Sequence, residues 1–297
     1  MPEESVQRAG KKAETPIVTA SDLGKRFESS DWIFENLDIE IHPGETTILM
    51  GTNGVGKSIL LSCLAGGLLP TTGSVTVFGK QPAEAQSQLT LLLQDGLAVE
   101  ELSGRENAEF YSKLHPAATD AWREIADQLE LEGMDRRVRE YSGGMAQKLE
   151  LALTLSVDVP LYFLDEPTSE LDPTAVERFH GLLEELVTEG KTVVLSSHSP
   201  RDLRAADRVI FVSSTGIVAD GDPSWLHEAV PPVVVVEGHT EQLEEVLRGG
   251  RLFDTDAGRR GFLADDVDPE EVTDRESVVG VESPKSPDMF NYYAHIH

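Results

Sequence analysis

A chain of 297 residues suits one large domain or a domain with an extension. It carries 53 acidic against 25 basic residues, a formal net charge of −28. Such a surface repels nucleic-acid phosphate and anionic lipid headgroups, which argues against direct binding to either.

No run approaches 18 apolar residues, so no membrane span is expected. The polar first 14 residues lack the apolar core of a secretory signal and read as a disordered tail. The expected location is cytoplasmic. The single cysteine, Cys63, excludes an internal disulfide and reads as core filler on the apolar side of a helix.

Strand patterns dominate from 17 to 77. Ile33, Leu37, Ile39 and Ile41 form a partly alternating edge that ends at Pro43-Gly44. Thr46-Thr47-Ile48-Leu49-Met50 reads as a short buried strand, and the apolar stretch after Ser58 reads as a helix. Residues 73–79 form another strand. Residues 89–94 are a short apolar run, expected to be a strand buried on both faces. The character then changes to helical spacing over 104–115 and 119–131, with Thr119 as a cap, followed by a helix over 145–157. Strands at 161–164 and 192–195 flank a helix over 173–189, an alternation that implies a parallel sheet. The register restarts after Pro231-Pro232. A strand (233–236), a helix (240–248), a strand (261–264), a short helix (269–274) and a strand (278–281) predict a small α+β extension over 231–297.

The residues Gly51-Thr52-Asn53-Gly54-Val55-Gly56-Lys57-Ser58 fit G-x-x-x-x-G-K-[ST] between a strand and a helix. A shuffled chain of this composition would give ~0.01 such matches. A glycine loop at a helix start cradles phosphate: backbone N–H groups converge on the anion and the helix dipole favours negative charge. Lys57 would reach the β- and γ-phosphates, and the Ser58 hydroxyl would ligand Mg²⁺. Gly51, Asn53, Gly54 and Gly56 complete the cradle, so ATP with Mg²⁺ is the expected ligand.

Further pieces follow in fixed order: Gln94, Tyr141-Ser142-Gly143-Gly144-Met145, Leu164-Asp165-Glu166, Ser169-Glu170-Leu171-Asp172 and Ser196-Ser197-His198-Ser199. With these in place, residues 16–225 resemble the ATP-binding subunit of an ABC transporter. The resemblance implies an α/β fold. A P-loop NTPase parallel sheet would join an antiparallel β subdomain and an inserted helical subdomain at about 96–145, all within a cassette spanning 15–228. It also implies residue roles. Asp165 would hold Mg²⁺ through water, and Glu166 would polarise the attacking water as general base. Gln94 resembles the Q-loop residue, contacting Mg²⁺ and linking to the helical subdomain. His198 resembles the switch histidine that contacts the γ-phosphate. Ser142, Gly143 and Gly144 resemble the signature, whose hydroxyl and backbone touch a γ-phosphate bound to the opposite subunit. Tyr141 and Met145 replace the commoner leucine and glutamine. Ser169-Glu170-Leu171-Asp172 resembles the D-loop, with Asp172 among the nucleotide-site residues and Glu170 where a small residue is usual. Phe27 falls where an aromatic stacks on adenine, with Trp32 nearby as the alternative.

One chain carries one glycine loop and one signature. A composite site therefore needs a homodimer or a pair of ATPase subunits, closed head to tail over two ATP molecules. The resemblance implies an integral-membrane permease as partner, which the helical subdomain would dock beside the Gln94 loop. The chain would sit on the inner face of the cell membrane through that permease, without inserting. Ser286-Pro287-Asp288-Met289-Phe290-Asn291-Tyr292-Tyr293 loosely resembles the tail of ATPase subunits that serve exporters. It equally reads as a cap on the extension's sheet. The second class considered is a soluble ABC ATPase of DNA repair, chromosome handling or translation. Repair and chromosome forms insert long coiled coils where only about 80 residues intervene here. Translation forms carry two cassettes and basic segments. A kinase using the same loop gives no reason for the signature.

Nine lysines against sixteen arginines, with the acidic excess, match the bias of proteins from salt-loving organisms. Self-repulsion falls as the Debye length shrinks to about 3 Å at 1 M salt. The melting temperature of the isolated chain is therefore expected to rise from low salt to molar KCl. A flat or falling curve would remove the halophilic reading.

Overall fold

The computed structural model describes residues 15–28, 31–94, 96–237, 243–255, 258–273, 275 and 277–296. The N-terminal tail and the start of the helix expected at 240–248 lie outside them, as does residue 274.

In chain order, β1 (Val18–Lys25) pairs antiparallel with β2 (Phe34–Ile41). A wholly buried β3 (Thr46–Met50) leads into α1 (Lys57–Ala65). β4 (Thr72–Val77) returns to β1 and completes an antiparallel sheet of order β2-β1-β4. β5 (Leu89–Leu92) is followed by α2 (Gly104–Tyr111), α3 (Trp122–Gln128) and α4 (Gly143–Leu155). Next come β6 (Leu161–Asp165), α5 (Pro173–Thr188), β7 (Thr192–Ser197), β8 (Arg208–Ser213), β9 (Gly216–Gly221) and α6 (Pro223–Glu228). The last segment holds β10 (Val233–Val236), β11 (Phe253–Thr255), β12 (Gly258–Phe262), α7 (Pro269–Thr273), β13 (Val278–Glu282) and α8 (Ser286–His295).

The central sheet has the order β5-β6-β7-β3-β8-β9, parallel except for β9. Its inner strands are covered on both faces, which is why β3, β6 and β7 read as near-continuous apolar runs. One core lies between this sheet and the antiparallel sheet, with α1 between them: Leu60, Leu61 and Leu64 pack with Val18, Leu23, Leu161 and Phe163. Cys63 belongs to that core, and burial pushes its thiol up to about 11. The opposite face carries α4 and α5 together with Trp122, Leu129 and Phe179.

Several elements differ from the sequence expectation. β5 ends at Leu92, and it lies at the edge of its sheet rather than buried on both faces, so Leu91 is half-buried and Leu93 exposed. α2 stops at Tyr111, well short of 115. It starts from a capping box in which Ser103 accepts from Glu106 N and Glu106 accepts from Ser103 N. α3 begins only at Trp122. Thr119 is not its cap: its hydroxyl donates to Ser156 O and so ties the preceding turn to the end of α4. α4 begins two residues earlier than expected because Ser142 caps it, accepting from Met145 N. α5 matches closely, with Asp172 as cap and Pro173 at its first position.

The C-terminal sheet is antiparallel, of order β11-β12-β10-β13. Glu244 to Val246 form a turn and Arg248 opens a short 3₁₀ turn, rather than the expected helix. Leu247 bridges to Leu263, and Gly249 turns left-handed at φ 67°. The strand expected at 261–264 runs earlier, as β12. The tail forms α8, which caps this sheet and also reaches the cassette. Phe262 and Tyr292 stack edge-on at 5.2 Å on one side. Phe211 of β8 and Tyr293 lie 4.8 Å apart on the other, and the Tyr293 hydroxyl donates to Leu226 O at 3.0 Å.

A buried ion pair fastens α8 to β12. Arg260 donates to both Asp288 oxygens, at 2.9 and 3.1 Å, and to Glu282 at 3.0 Å. Removing Asp288 leaves the buried Arg260 guanidinium with the half-exposed Glu282 as its one remaining carboxylate among the described residues. Asp288→Ala is expected to destabilise the docked helix by about 3 kcal/mol. An apolar replacement of both, Arg260→Met with Asp288→Leu, should recover most of that loss in chemical denaturation. Equal losses in the single and double variants would show that the pair itself stabilises.

Candidate functional site

The strands β3, β6 and β7 are parallel and in register, with Leu164 opposite Leu195, Asp165 opposite Ser196 and Met50 opposite Ser197. Their C-terminal ends therefore deliver the glycine loop, Asp165-Glu166 and Ser196-His198 to one edge of the sheet. Gly54 and Gly56 adopt left-handed backbone at φ 85° and 95°, which lets the loop curl before α1. A Cβ on Gly56 would sit 2.5 Å from Ile33, so the β1–β2 turn closes directly on the loop.

Lys57 is buried at the centre. Its Nζ donates to Gly51 O at 2.9 Å and Thr52 O at 3.0 Å, and stands 3.6 Å from Glu166 Oε1. Burial lowers its pKa below the ordinary lysine value, opposed by the pull of Glu166 and Asp165. Asp165 Oδ1 accepts from Ser58 Oγ at 3.0 Å and Ser196 Oγ at 2.5 Å. Burial still holds its pKa above the usual carboxylate value. Ser58 Oγ and Asp165 are hard oxygen donors of the kind and number that Mg²⁺ takes from protein while keeping its waters.

Glu166 sits at φ 44°, a left-handed conformation that costs a non-glycine residue about 1–3 kcal/mol. Its amide donates to Ser196 Oγ at 2.9 Å, and its Oε2 lies 2.9 Å from His198 Nδ1. Glu166 thus stands between Lys57 and His198. A cavity of about 180 Å³ opens beside it, lined by Thr168, Ser169, Leu171, His198 and Arg201 among others.

The remaining expected residues fall around this centre. Gln94 is exposed two residues past β5, whose pairing with β6 puts it at the same sheet end as Asp165. Ser142, Gly143 and Gly144 open α4 against the loop that follows Glu166. Gln147 Nε2 donates to Pro167 O at 2.9 Å, and a Cβ on Gly143 would stand 2.6 Å from Glu170 Oε2. Asp172 spends its carboxylate on the α5 cap, accepting from Thr174 N and Ala175 N, which lower its pKa. Phe27 is exposed with Lys25 Nζ 4.8 Å from its ring, and Trp32 carries Arg26 at 4.7 Å.

Two residues escaped the sequence reading. Ser196 joins Asp165 to the Glu166 amide, and its signal was a hydroxyl at the end of an apolar strand. Glu150 lies buried in α4, where its Oε1 accepts from Leu97 N at 2.7 Å and Ala98 N at 2.6 Å. Its signal was one acid inside an apolar helical run. With Asn107, which accepts from Val99 N and donates to Val99 O, it fixes the segment after Gln94.

The ABC transporter family profile matches residues 34–169. The Nod factor export ATP-binding protein I of Rhizobium etli is 30% identical over 264 residues, 83% of this chain and 82% of that protein. NatA, an ABC transporter ATP-binding protein of Bacillus subtilis, is 29% identical over 228 residues, 72% of this chain and 92% of its own. The daunorubicin resistance ATP-binding protein DrrA3 of Streptomyces coeruleorubidus is 32% identical over 215 residues, 69% of this chain and 67% of that protein. A dimeric bacterial ABC transporter cassette shares the fold at TM-score 0.63 and 23% identity, covering 69% of this chain and 98% of that structure. The chain belongs to the ABC transporter ATP-binding proteins.

Burial raises the Glu150 carboxyl above its unfolded value, against two backbone hydrogen bonds. Between those two values the native state holds more protons than the unfolded one, so the wild type loses stability as pH rises through the window. Glu150→Gln keeps an oxygen for both amides and removes the charge. It is expected to melt higher than wild type near neutrality, and the gap should close as pH falls to about 4. A gap that persists unchanged to that pH would contradict the buried charge as its cause.

Proposed function

We propose that the chain is the ATP-binding and ATP-hydrolysing subunit of an ABC transporter, closing as a head-to-tail dimer over two Mg-ATP to drive a separate permease. The observation that carries this is the Glu166 carboxylate, held between Lys57 and His198 beside the Ser58–Asp165 pair.

The glycine loop supplies backbone N–H groups to the phosphates. Lys57 exchanges the Gly51 and Thr52 carbonyls for β- and γ-phosphate oxygens. Ser58, Asp165 through water, and Gln94 would hold Mg²⁺, which when bound would offset phosphate charge. Glu166 orients and polarises the attacking water, and His198 contacts the γ-phosphate. Phe27 or Trp32 covers the adenine.

Ser142, Gly143 and Gly144 act on the nucleotide of the partner subunit, because one chain offers one loop and one signature. Asp172 lines the same interface from the D-loop.

An exposed apolar strip supports a permease docking surface: Leu93, Leu97 and Val99 beside Gln94, with Phe110 and Leu114 from α2 and the turn after it. Among the described residues no helix is long and apolar enough to cross a membrane. Membrane association, on the inner face, would therefore come through that partner. Export is the favoured direction: the Nod factor export relative matches 83% of this chain, a span longer than the cassette.

The test mixes two variants. Ser142→Arg cannot complete its partner's site, and Lys57→Ala cannot hold its own nucleotide. Each homodimer should be nearly inactive, and mixing should restore ATPase activity through the one complete site of the heterodimer, at concentrations that permit pairing. Full activity of Ser142→Arg alone would sink the composite site.

A further inference from the structure

The most deeply buried carboxylate near the site belongs to Asp202, 1% exposed, in the 3₁₀ turn after β7. No step described above uses it. Three donors from three different elements converge on it. Oδ2 accepts from Thr168 Oγ1 at 2.8 Å and from Ser197 Oγ at 2.5 Å. Oδ1 lies 3.0 Å from Nε2 of His180, itself 6% exposed in the middle of α5. A carboxylate oxygen only accepts, so the imidazole donates. Ser197 Oγ in turn accepts from Ser199 N at 2.9 Å, which closes the turn around His198.

Thr168 is two residues past Glu166 and opens the D-loop segment. Ser197 immediately precedes His198. The two loops that meet at the 2.9 Å Glu166–His198 contact are thus pinned to one interior carboxylate, braced from behind by α5. Strand pairing carries Asp165 and Ser196, and through Met50 also Ser197, but stops short of Glu166 and His198. Beyond those strand ends the two loops are linked by the Glu166 amide on Ser196 Oγ and by this hydrogen-bonded node, which reaches further along both. A buried carboxylate with both oxygens hydrogen-bonded is stiff, whereas one missing a partner is costly and loose.

We propose that Asp202, backed by His180, is a positioning residue that sets the separation of Glu166 and His198 and ties both to the D-loop through Thr168. The proposal rests on the ATP-hydrolysis reading above. Nucleotide binding belongs to the glycine loop and Lys57, which the node does not touch. Loss of the node should therefore lower kcat and leave KM for ATP nearly alone, because misplacement by about an ångström costs up to roughly 100-fold in rate.

The experiment measures kcat and KM for Mg-ATP, with melting curves, for wild type, Asp202→Ala, Asp202→Asn, Thr168→Val and Thr168→Ser. Asp202→Asn can offer its oxygen to His180 and its amide to the two hydroxyls, so it should retain most of the wild-type rate. Asp202→Ala should lose roughly 10- to 100-fold in kcat with KM changed less than about threefold. Thr168→Val leaves the Asp202–His180–Ser197 contacts in place, so it keeps the test open where Asp202→Ala does not fold. It should lower kcat, and Thr168→Ser should restore it. In a double-mutant cycle, Thr168→Val should cost little further in a His198→Ala background, since both act on one geometry. Wild-type kcat in folded Thr168→Val, or full additivity with His198→Ala, would overturn the proposal and leave the ATPase reading standing. A wild type that neither binds nor hydrolyses ATP would remove that reading, and the proposal with it.

Discussion

Everything at the site follows from three parallel strands that end level with one another. Because β3, β6 and β7 run the same way in register, the loops leaving them open at a single edge. In open parallel sheets ligands bind in the crevice outside the carboxyl ends of the strands. Had any one of these strands run antiparallel, its chemistry-bearing loop would lie at the far edge. The buried apolar residues of the strands therefore do more than stabilise. Ile48, Leu164 and Leu195 hold the register that brings Lys57, Asp165 and His198 within reach of Glu166.

That convergence costs stability. Lys57 and Asp165 both lie in the interior, where burial disfavours their charged forms. Glu166 adds a left-handed backbone. The lysine is met by the carbonyls of Gly51 and Thr52, and Asp165 by the Ser58 hydroxyl.

The sequence disclosed the parts of this fold that rest on local chemistry. The glycine loop, the Asp165-Glu166 strand end, the Asp172-Pro173 helix start and the parallel alternation all have signals within a few residues. What it hid depends on neighbours distant in the chain. The edge position of β5 is set by which strands pair, and a four-residue apolar run looks alike at the edge and in the middle. The lengths of α2 and α3 are set by contacts such as Thr119 to Ser156. Leu243 to Leu247 carry helical spacing, yet they turn and Leu247 bridges to Leu263 instead. Glu150 and Asp202 were legible as acids but not as buried, because their donors lie 52 or more residues away for Glu150, and as far as 34 for Asp202.

Those two acids belong to one pattern. In each, an interior carboxylate ties down a loop: Glu150 through two backbone amides, Asp202 through two hydroxyls and an imidazole. Glu150, on the helix that begins with the signature, holds the segment after Gln94 where the exposed apolar strip lies. Asp202 holds the loops around Glu166 and His198. Gln147, one turn before Glu150 on the same helix, donates to Pro167 between Glu166 and Thr168. The hydrogen bonds therefore run without a break from the strip to the signature helix, from there to the loop after Glu166, and from there to the switch segment. These links are directional bonds and not sliding apolar contacts, so α4 touches both ends of the chain through fixed geometry. A partner pressing on the apolar strip and a phosphate pulling on Ser142 would act on the same helix.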